Sequence, residues 1–542
     1  MKRLVPGVLV LLGLVAAACA PTATPAATSA APTSAPTTAV TTAPTSAATT
    51  AATSAATTAA TTAATTAATT SATSAAPAGA VTLNIVCRCV ANGVNAQTVQ
   101  WITSYVIPNF EKQMSSQGTP VHVNLVQFGG SDEQLQQQYA LDLKVGQGSD
   151  VMAFDGFWVP SFVAGGLLKP LNQIAGSAVD SWDGWSHISP RIQAILSYQN
   201  QRYGIPLGTD ARAIWFRTDV FKKAGLPTNW QPTSWADILS ACKTITTAIP
   251  GETCIQLDAG TAMGEATTLQ GWYMTVLGAG ANVYDFNTGK YITSGQPILD
   301  ALNFYKTIYI DDKYGDARLQ LLPNGRNQSF IDFRDGKIAM LVESDYLWRS
   351  VLAAGDTKLA NRDQLVSWAK MPAEKPGMGI NGQDFVTASG GTGYTLNPNT
   401  KHPKEAWELL SFMFSKSALD AFEQIQPMIT SRDDVAVAND PVLTAYAKAL
   451  LPITTIRPAD PNYNKVSVAI QQMTEQVVSG TSPQQAASTY QSSVTSIVGA
   501  ANVEAAPPVK AAPTTSPGGS ASPSAQPSPG ATSSSGGATP TP

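Results

Sequence analysis

Histidine and charged residues are scarce in this sequence of 542 residues. The three histidines, His122, His187 and His402, are far apart and have none of the spacings typical of metal ligands or catalytic triads. Only 13% of the residues are charged, the net charge is -4, and no basic stripe is visible, which argues against a nucleic-acid-binding protein. P-loop, nucleophile-elbow and dinucleotide-binding motifs are also lacking. We therefore expect a protein that is not an enzyme and that holds no metal or cofactor.

The sequence has no apolar run long enough to cross a bilayer, since the longest candidate is residues 4–18. This run follows Lys2 and Arg3 and ends in three alanines before Cys19. The pattern resembles a bacterial lipoprotein signal peptide, although Ala16 stands where that pattern usually has Leu. We expect residues 1–19 to be this signal, with Cys19 lipidated and the protein anchored to the membrane on its extracytoplasmic side. Ordinary cleavage with release of the protein is the alternative.

Two segments lack the apolar residues that a folded core needs. Residues 20–80 are almost entirely Ala, Thr, Ser and Pro, and residues 505–542 are rich in Pro, Ser and Gly. Neither can bury enough surface to offset its ordering entropy, so we predict a disordered tether and a disordered tail. The block 81–504 between them holds all 11 Trp residues and is large enough for two lobes.

Cysteine is also rare, with five residues in all. Apart from Cys19, the four others allow three pairings. Cys242 and Cys254 lie on either side of a predicted helix end and turn, which favours a disulfide between them. Cys87 and Cys89 are two residues apart on a predicted strand, which is an awkward geometry for a bridge.

Strands and helices alternate at the start of the block. The hydrophobic spacing predicts strands at 81–86, 121–126 and 151–154, with helices at 96–114 and 132–145 between them. This β-α-β-α-β order indicates a parallel sheet, in which ligands bind beyond the carboxyl ends of the strands. The loops 88–95, 129–132 and 155–158 are therefore candidate site segments.

A second α/β region follows. It contains predicted strands at 213–216 and 338–342, and predicted helices at 219–224, 235–244 and 298–310. Thr233 or Ser234 is expected to cap the second of these helices. From 403 to 498 the sequence is mostly helical in pattern.

Four stretches of the block resemble the extracellular solute-binding proteins of ABC importers, in the sugar-binding family that includes the maltose- and trehalose-binding proteins. No single motif identifies the family. The order and spacing of the four stretches, which extend across nearly all of 81–504, support the resemblance. The stretches are GSDVMAFD at 148–155 with GGLLKPL at 165–171; YGIP at 203–206 with TDAR at 209–212 and DVFKKAGLP at 219–227; FRDGKIAM at 333–340; and GGTGY at 390–394 with KHPKEAW at 401–407.

The resemblance implies a two-lobed α/β fold of the periplasmic-binding-protein type II, in which each lobe is a mostly parallel sheet flanked by helices. The lobes would be discontinuous, with 81–207 plus 391–425 in lobe 1 and 208–390 plus 426–504 in lobe 2. Hinge crossovers would lie near 207–212, 386–393 and Gln426. The expected function is to bind a carbohydrate, such as a di- or oligosaccharide, between the lobes of a monomer. The expected partners are membrane permease subunits, driven by a cytoplasmic ATPase.

Sugars present apolar C–H faces to aromatic rings, and hydroxyl pairs to carboxylates, amides and guanidinium groups. Asp155 and Trp158 follow a predicted buried strand and should project into the cleft, and Arg88 and Asn92 follow the first predicted strand. The other candidates come from the resemblance. Relatives commonly have Gly-Pro-Trp where this chain has Asp345-Tyr346-Leu347-Trp348. The predicted ligand-binding residues are Asp155, Trp158, Asp210, Arg212, Trp272, Tyr273, Tyr346, Trp348, Gly390, Gly391 and Arg432, with Arg88 and Asn92 as weaker candidates.

Each candidate also has a structural explanation. Asp155 could cap a helix, and Asp210 and Arg212 could form an ion pair. Trp272, Tyr273 and Trp348 could pack in the core. At the level of function, a surface adhesin or sensor partner on the same fold stays open. A polyamine ligand stays open as well, since Asp155, Asp210 and Asp345 could converge on it. A glycosidase would need two carboxyl groups with separated pKa values, and nothing in the sequence marks Asp155 or Asp210 for such a role.

Overall fold

Strands and helices alternate along the chain as the sequence indicates. The computed structural model describes residues 68–70 and 79–508. The predicted signal peptide with Cys19, most of the 20–80 tether and the tail beyond 508 lie outside the described residues. The strands are β1 Ala68–Thr70, β2 Val81–Cys87, β3 Val121–Phe128, β4 Val151–Asp155, β5 Ser197–Tyr198, β6 Gln201–Arg202, β7 Gly204–Pro206, β8 Arg212–Arg217, β9 Thr253–Gln256, β10 Tyr284–Asp285, β11 Lys290–Ser294, β12 Ile338–Ser344, β13 Val366–Ala369, β14 Met371–Pro372, β15 Phe385–Ser389, β16 Thr392–Leu396, β17 Thr454–Ile456 and β18 Val503–Ala505.

Several helices begin after a residue whose side chain caps them. Ser131 and Ser234 each form a capping box with the third residue of the following helix, so of the two predicted caps, Thr233 and Ser234, it is Ser234 that caps the helix. The α-helices are Ala96–Trp101, Ile107–Ser116, Asp132–Lys144, Val159–Ala164, Leu171–Ala175, Pro190–Gln193, Thr218–Lys223, Trp235–Ala248, Tyr273–Val276, Gln296–Lys306, Ala317–Leu321, Gly325–Arg334, Arg362–Leu365, Pro403–Met413, Lys416–Ile425, Pro441–Leu450, Tyr463–Val478 and Pro483–Val498.

Lobe 1 is built on a six-stranded sheet in the order β1-β3-β2-β4-β16-β7. Strand β2 pairs in parallel with β3 and β4, as the β-α-β-α-β order predicts. Strand β16 runs antiparallel to both β4 and β7, because the chain leaves the lobe after β7 and returns through β16. The sheet is therefore mixed rather than mostly parallel.

Lobe 2 contains a four-stranded sheet in the order β13-β8-β12-β9 and two three-stranded sheets, β14-β15-β17 and β10-β11-β18. Strand β12 is parallel to β9 and antiparallel to β8. Two pairings extend past the predicted ends of the folded block. Strand β18 pairs with β11 and includes Ala505, which belongs to the predicted tail, while β1 lies within the predicted tether and pairs with β3.

Three segments that run between the lobes lie side by side. The connection from β7 to β8 hydrogen-bonds to the start of β16, where Leu207 N–H donates to Thr392 O at 2.9 Å. It also contacts the 426–430 segment, where Thr209 N–H donates to Ile429 O at 3.0 Å. Gly208 and Thr430 form a β-bridge at the same place. These contacts bring the three predicted crossover segments together.

Both pairs of cysteines in the described residues form disulfides. Cys242 is joined to Cys254, as expected from the turn between them. Cys87 is joined to Cys89, a pairing that the sequence leaves open because two positions on one strand are an awkward geometry for a bridge. The strand ends at Cys87, and Cys89 N–H donates to Cys87 O at 2.9 Å in a tight turn. This turn brings the two Cα atoms within 5.3 Å, inside the range that a disulfide spans.

Candidate functional site

A cavity of about 480 Å³ lies between the two lobes, where the carboxyl ends of β4, β15 and β17 meet. Lobe 1 contributes the turn after β4, the segment 191–196 and the β5–β6 hairpin, and lobe 2 contributes Phe286 and the segment that follows β17. The crossovers form the floor. The lining residues are Gly156, Phe157, Arg191, Ile192, Ala194, Ile195, Ser197, Tyr198, Gln199, Asn200, Thr209, Phe286, Ser389, Gly390, Gly391, Leu451, Thr454, Ile456, Arg457, Pro458 and Ala459.

Aromatic rings stand on both sides of the cavity. Phe157 follows β4 in lobe 1, and its ring packs edge-on against that of Tyr463 at 5.8 Å. Phe286 belongs to lobe 2 and is 52% exposed, which is unusual for a phenylalanine. Tyr198 lies on the hairpin opposite. Flat apolar surfaces on two sides suit a ligand that itself has apolar faces.

The guanidinium group of Arg457 joins the lobes at the cavity wall. Arg457 donates to Asp155 at 2.9 Å and to Glu265 at 3.2 Å, and it lies over the ring of Phe157 at 4.3 Å. Tyr463 also donates to Glu265, at 2.8 Å. Burial raises the pKa of Asp155 to about 6, and Arg457 opposes this rise. Both carboxylates are therefore occupied by the same cation.

Glycines let the backbones approach at the crossover floor. A Cβ atom on Gly391 would lie 2.7 Å from a methyl of Ile195 and 2.8 Å from the carbonyl oxygen of Gly208. Gly156 N–H donates to Gly391 O at 3.1 Å, which links β4 to the crossover. Gly390 N–H donates to the carboxylate of Asp210 at 2.6 Å. Close backbone contact at this point requires residues without a side chain.

The structure brings three of the predicted site residues to the cavity. Gly390 and Gly391 line it, and Asp155 lies behind Arg457 at its edge. Asp155 also accepts from Phe157 N–H at 3.3 Å, so the predicted capping role is present as well. Trp158 instead lies in the core of lobe 1, edge-on to Phe154, because the 3-10 turn after β4 aims Phe157 and Trp158 in different directions.

Four other candidates are in ion pairs or in the core near the crossovers. Asp210 and Arg212 form an ion pair, and Arg212 also donates to Ala388 O at 3.2 Å. Burial acts to raise the pKa of Asp210, but Arg212 and the Gly390 N–H hold it below the ordinary value. Trp272 and Tyr273 are fully buried in the core of lobe 2.

The remaining candidates lie away from the cavity. Trp348 is buried, donates to Asp440 at 2.8 Å and stacks on Trp215. Tyr346 packs beside Arg349. Two further arginines are engaged elsewhere: Arg432 pairs with both carboxylate oxygens of Asp434 at 2.8 Å, and Arg88 donates to Gly130 O at 2.8 Å in the 88–95 loop, which also holds Asn92.

Sequence reasoning missed Phe157, Phe286, Arg457 and the hairpin. Arg457 follows a three-residue strand, β17, that the pattern does not distinguish from its helical surroundings. The signal that could have identified it is a lone arginine before Pro458, in a stretch otherwise poor in charge.

One histidine lies beside two carboxylates on the surface. His187 Nδ1 is 3.1 Å from Asp433 and 3.7 Å from Asp434. Arg432 already occupies both oxygens of Asp434, so a cation would compete with a guanidinium group there. Among the helices of residues 79–508, none is long and apolar enough to cross a membrane.

Comparison with known proteins gives consistent matches. The family model of the bacterial extracellular solute-binding proteins matches residues 95–419. A binding protein of Brucella abortus is 25% identical over 343 residues, which cover 61% of this chain and 75% of the relative. The ABC transporter solute-binding protein of Thermotoga lettingae bound with α-D-tagatose superposes with a TM-score of 0.62 at 22% identity, covering 77% of this chain and 100% of that one. The maltose-bound T. maritima MalE3 superposes with a TM-score of 0.63 at 18% identity, again covering 77% and 100%.

Proposed function

The chain belongs to the bacterial extracellular solute-binding proteins, and we propose that it is the lipid-anchored carbohydrate-binding component of an ABC importer. Members of this family bind solutes and are not enzymes, and their two-lobed fold is the periplasmic-binding-protein type II. Their extracytoplasmic location agrees with the export signal that we predict at residues 1–19. The class of ligand, the lipid anchor and the permease partners go beyond membership of the family and are part of the proposal.

The observation that carries the proposal is the composition of the inter-lobe cavity. Phe157 and Phe286 offer apolar rings, and Thr209, Ser389 and Thr454 line the same cavity. Their hydroxyls donate to Gly390 O, Asp210 O and Ser389 Oγ, so they would meet a ligand as acceptors. Rings and neutral polar groups together suit a carbohydrate. The volume of about 480 Å³ lies within the usual range for small-molecule sites. The two similar structures hold a monosaccharide and a disaccharide, and we propose a di- or oligosaccharide here.

Charge at the cavity argues against a polyamine. None of the residues that line it in the described part of the chain is acidic, whereas Arg191 and Arg457 are cationic. Asp155 and Glu265 face Arg457 and are paired with it. Asp210 and Asp345 pair with Arg212 and Arg349. A polycation would therefore meet guanidinium groups instead of free carboxylates.

The anchor and the partners follow from the sequence and the family. We propose that Cys19 carries the lipid, that residues 20–80 act as the tether, and that a monomer delivers its ligand to membrane permease subunits with a cytoplasmic ATPase. The Cys19→Ala variant should leave the membrane fraction, as followed by fatty-acid labelling and cell fractionation. Unchanged fatty-acid labelling of the Cys19→Ala variant would contradict lipidation at Cys19. It would not bear on the proposed binding function.

The ligand class is tested by thermal shift and calorimetry with mono-, di- and trisaccharides, and with polyamines as controls. A ligand that binds only the folded state raises the melting temperature. Phe286→Ala should weaken sugar binding about five-fold, because one exposed stacking ring is lost. Leu141→Ala is the matched control, since Leu141 is an exposed apolar residue on the Asp132–Lys144 helix, outside the cavity lining. A melting-temperature shift with polyamines alone would contradict the proposal that the ligand is a carbohydrate. No shift with any of these compounds would favour an adhesin or sensor partner.

A further inference from the structure

The β5–β6 hairpin at the cavity has an unusual turn. Ser197 pairs with Arg202 and Tyr198 with Gln201, so the turn consists of two residues, Gln199 and Asn200. Both have positive φ, at 50° and 59°, as a type I′ turn requires. Such turns favour Asn-Gly, and glutamine adopts this backbone conformation at a cost.

The side chains at this turn are free to bind something else. Gln199 and Asn200 are both exposed. Neither amide has a hydrogen-bond partner within residues 79–508. Both residues line the inter-lobe cavity. Non-glycine residues held in this strained conformation are frequent at ligand sites, where the position of the side chain outweighs the backbone cost.

A second groove, of about 510 Å³, lies on the other side of the hairpin, in lobe 1. Asn200 lines both the groove and the inter-lobe cavity, as do Ala194 and Ser197. The groove is lined in addition by the apolar residues Val179 and Pro190. Its remaining walls are polar and consist of Asn172, Asp180, Gln193, Gln201 and Arg202. The hairpin is therefore a wall shared by two cavities, with an amide side chain facing both.

The chemistry of the groove suits a neutral ligand with many hydroxyl groups. Its charged side chains are one carboxylate, Asp180, and one guanidinium, Arg202, so their charges cancel. Arg202 is fixed by Gln193 at 3.1 Å and lies over the ring of Trp185 at 4.3 Å. The side-chain amide of Gln201 is exposed and has no hydrogen-bond partner in the described part of the chain. Amides and fixed ionic groups bind hydroxyl pairs.

We propose that the groove is a second carbohydrate subsite, and that a ligand bound between the lobes extends past Asn200 into it. This inference rests on the proposed function and deepens it, because the ligand would then have more units than the inter-lobe cavity alone accepts. The inter-lobe cavity holds the first units, and the groove binds the remainder on lobe 1.

The test is calorimetry of the full chain with one series of sugars, from one to four units long. Wild type should bind the longer members at least five-fold more tightly, since each additional hydrogen bond contributes about five-fold. Gln201→Ala should remove this gain and leave the binding of the single unit unchanged. Asn200→Gly should weaken all lengths about five-fold, although it relieves the strained turn and should keep or raise the melting temperature.

Lys313→Gly is the matched control, because Lys313 is exposed, has φ of 56° and lies outside both cavities. It should raise stability without any change in affinity. Equal affinity for all lengths in wild type, or a length gain that survives in Gln201→Ala, would overturn the second subsite. Failure of wild type to bind any sugar would instead overturn the proposed function, so the two failures are distinguishable.

Discussion

Arg457 Nη2 donates a hydrogen bond to Asp155 Oδ1 at 2.9 Å, and this contact ties lobe 2 to lobe 1 across the cleft. The same guanidinium holds Glu265 within lobe 2. A second polar contact supports the closure, since Asn464 donates to the hydroxyl of Ser161 at 3.0 Å. The protein therefore has its own inter-lobe contacts beside the cavity, and ligand closure would add to them.

Arg457→Met should loosen the closure. The substitution leaves Asp155 and Glu265 as unpaired, largely buried carboxylates, and removing one partner of a buried pair typically costs about 3–5 kcal/mol. We expect a lower melting temperature and, by small-angle X-ray scattering, a larger radius of gyration. Arg318→Met is the control, because Arg318 is 88% exposed and its pair with Asp316 should contribute little. Equal radii for both variants would contradict a closing role.

The stability of the protein should fall as pH rises from about 4.5 to 7. Burial raises the pKa of Glu423 from 4.5 to about 7, and burial raises that of Asp258 to about 7. A folded-state pKa above the unfolded value means that the folded protein binds more protons in this range. The contribution of each of these carboxyl groups to stability is complete below its pKa in the unfolded chain. It is lost as the pH rises through its pKa in the folded protein. At 1.4 kcal/mol for each pKa unit, the loss from Glu423 is of the order of 3 kcal/mol.

The measurement is urea unfolding at pH 5 and pH 7.5. Glu423 accepts from Met428 N–H at 3.1 Å and from Ala438 N–H at 3.0 Å, and Glu423→Gln keeps an acceptor there but does not titrate. This variant should therefore show a smaller difference between the two pH values than wild type. A wild type that becomes more stable between pH 5 and 7.5 would refute the sign.

Much of the fold was predictable because periodicity reports burial. Hydrophobic residues are spaced as in a strand in β2 and as in a helix in Trp235–Ala248, and both elements lie where the sequence predicts them. Strand β17 has three residues, which is too short for such a signal. The pairing of β18 with β11 depends on contacts between residues that are far apart in sequence. Patterns within a short window therefore could not reveal these two strands.

The site was less predictable than the fold, because the sequence indicates where a residue lies on a strand or turn but not where its side chain points. Phe157 and Trp158 are neighbours, yet one lines the cavity and the other packs in the core. Asp155 could be singled out because it ends a buried strand, but its partner Arg457 lies about 300 residues further along the chain. Ion pairs of this kind depend on how the lobes meet, which local spacing does not encode.

The Cys242–Cys254 disulfide should contribute more to stability than Cys87–Cys89. Its cysteines are 12 residues apart, against two for the other bridge, and a longer loop loses more entropy in the unfolded chain. Replacing Cys242 and Cys254 by alanine should lower the free energy of unfolding by about 2–4 kcal/mol. The matched variant replaces Cys87 and Cys89 by alanine. We expect a smaller decrease in its free energy of unfolding, as measured by chemical denaturation. A larger loss in that variant would contradict the loop argument.

Gly391→Ala should damage both the hinge and the binding site. The new methyl would lie 2.8 Å from the carbonyl oxygen of Gly208 and 2.7 Å from Ile195, so neighbouring backbone must shift. Overpacking of this kind typically costs about 1–3 kcal/mol. Because Gly391 lines the cavity, sugar affinity should fall together with the melting temperature.

Gly129→Ala is a suitable control for this hinge variant. A Cβ atom on Gly129 would approach only a methyl of the partly exposed Val90, at 3.2 Å, and that side chain can move. We expect it to bind sugar like wild type, as measured by calorimetry, and to melt within a few degrees of it. If Gly391→Ala melted and bound like Gly129→Ala, the crossover would tolerate a side chain. The close backbone contact between Gly208 and Gly391 would then have no part in positioning the lobes around the ligand.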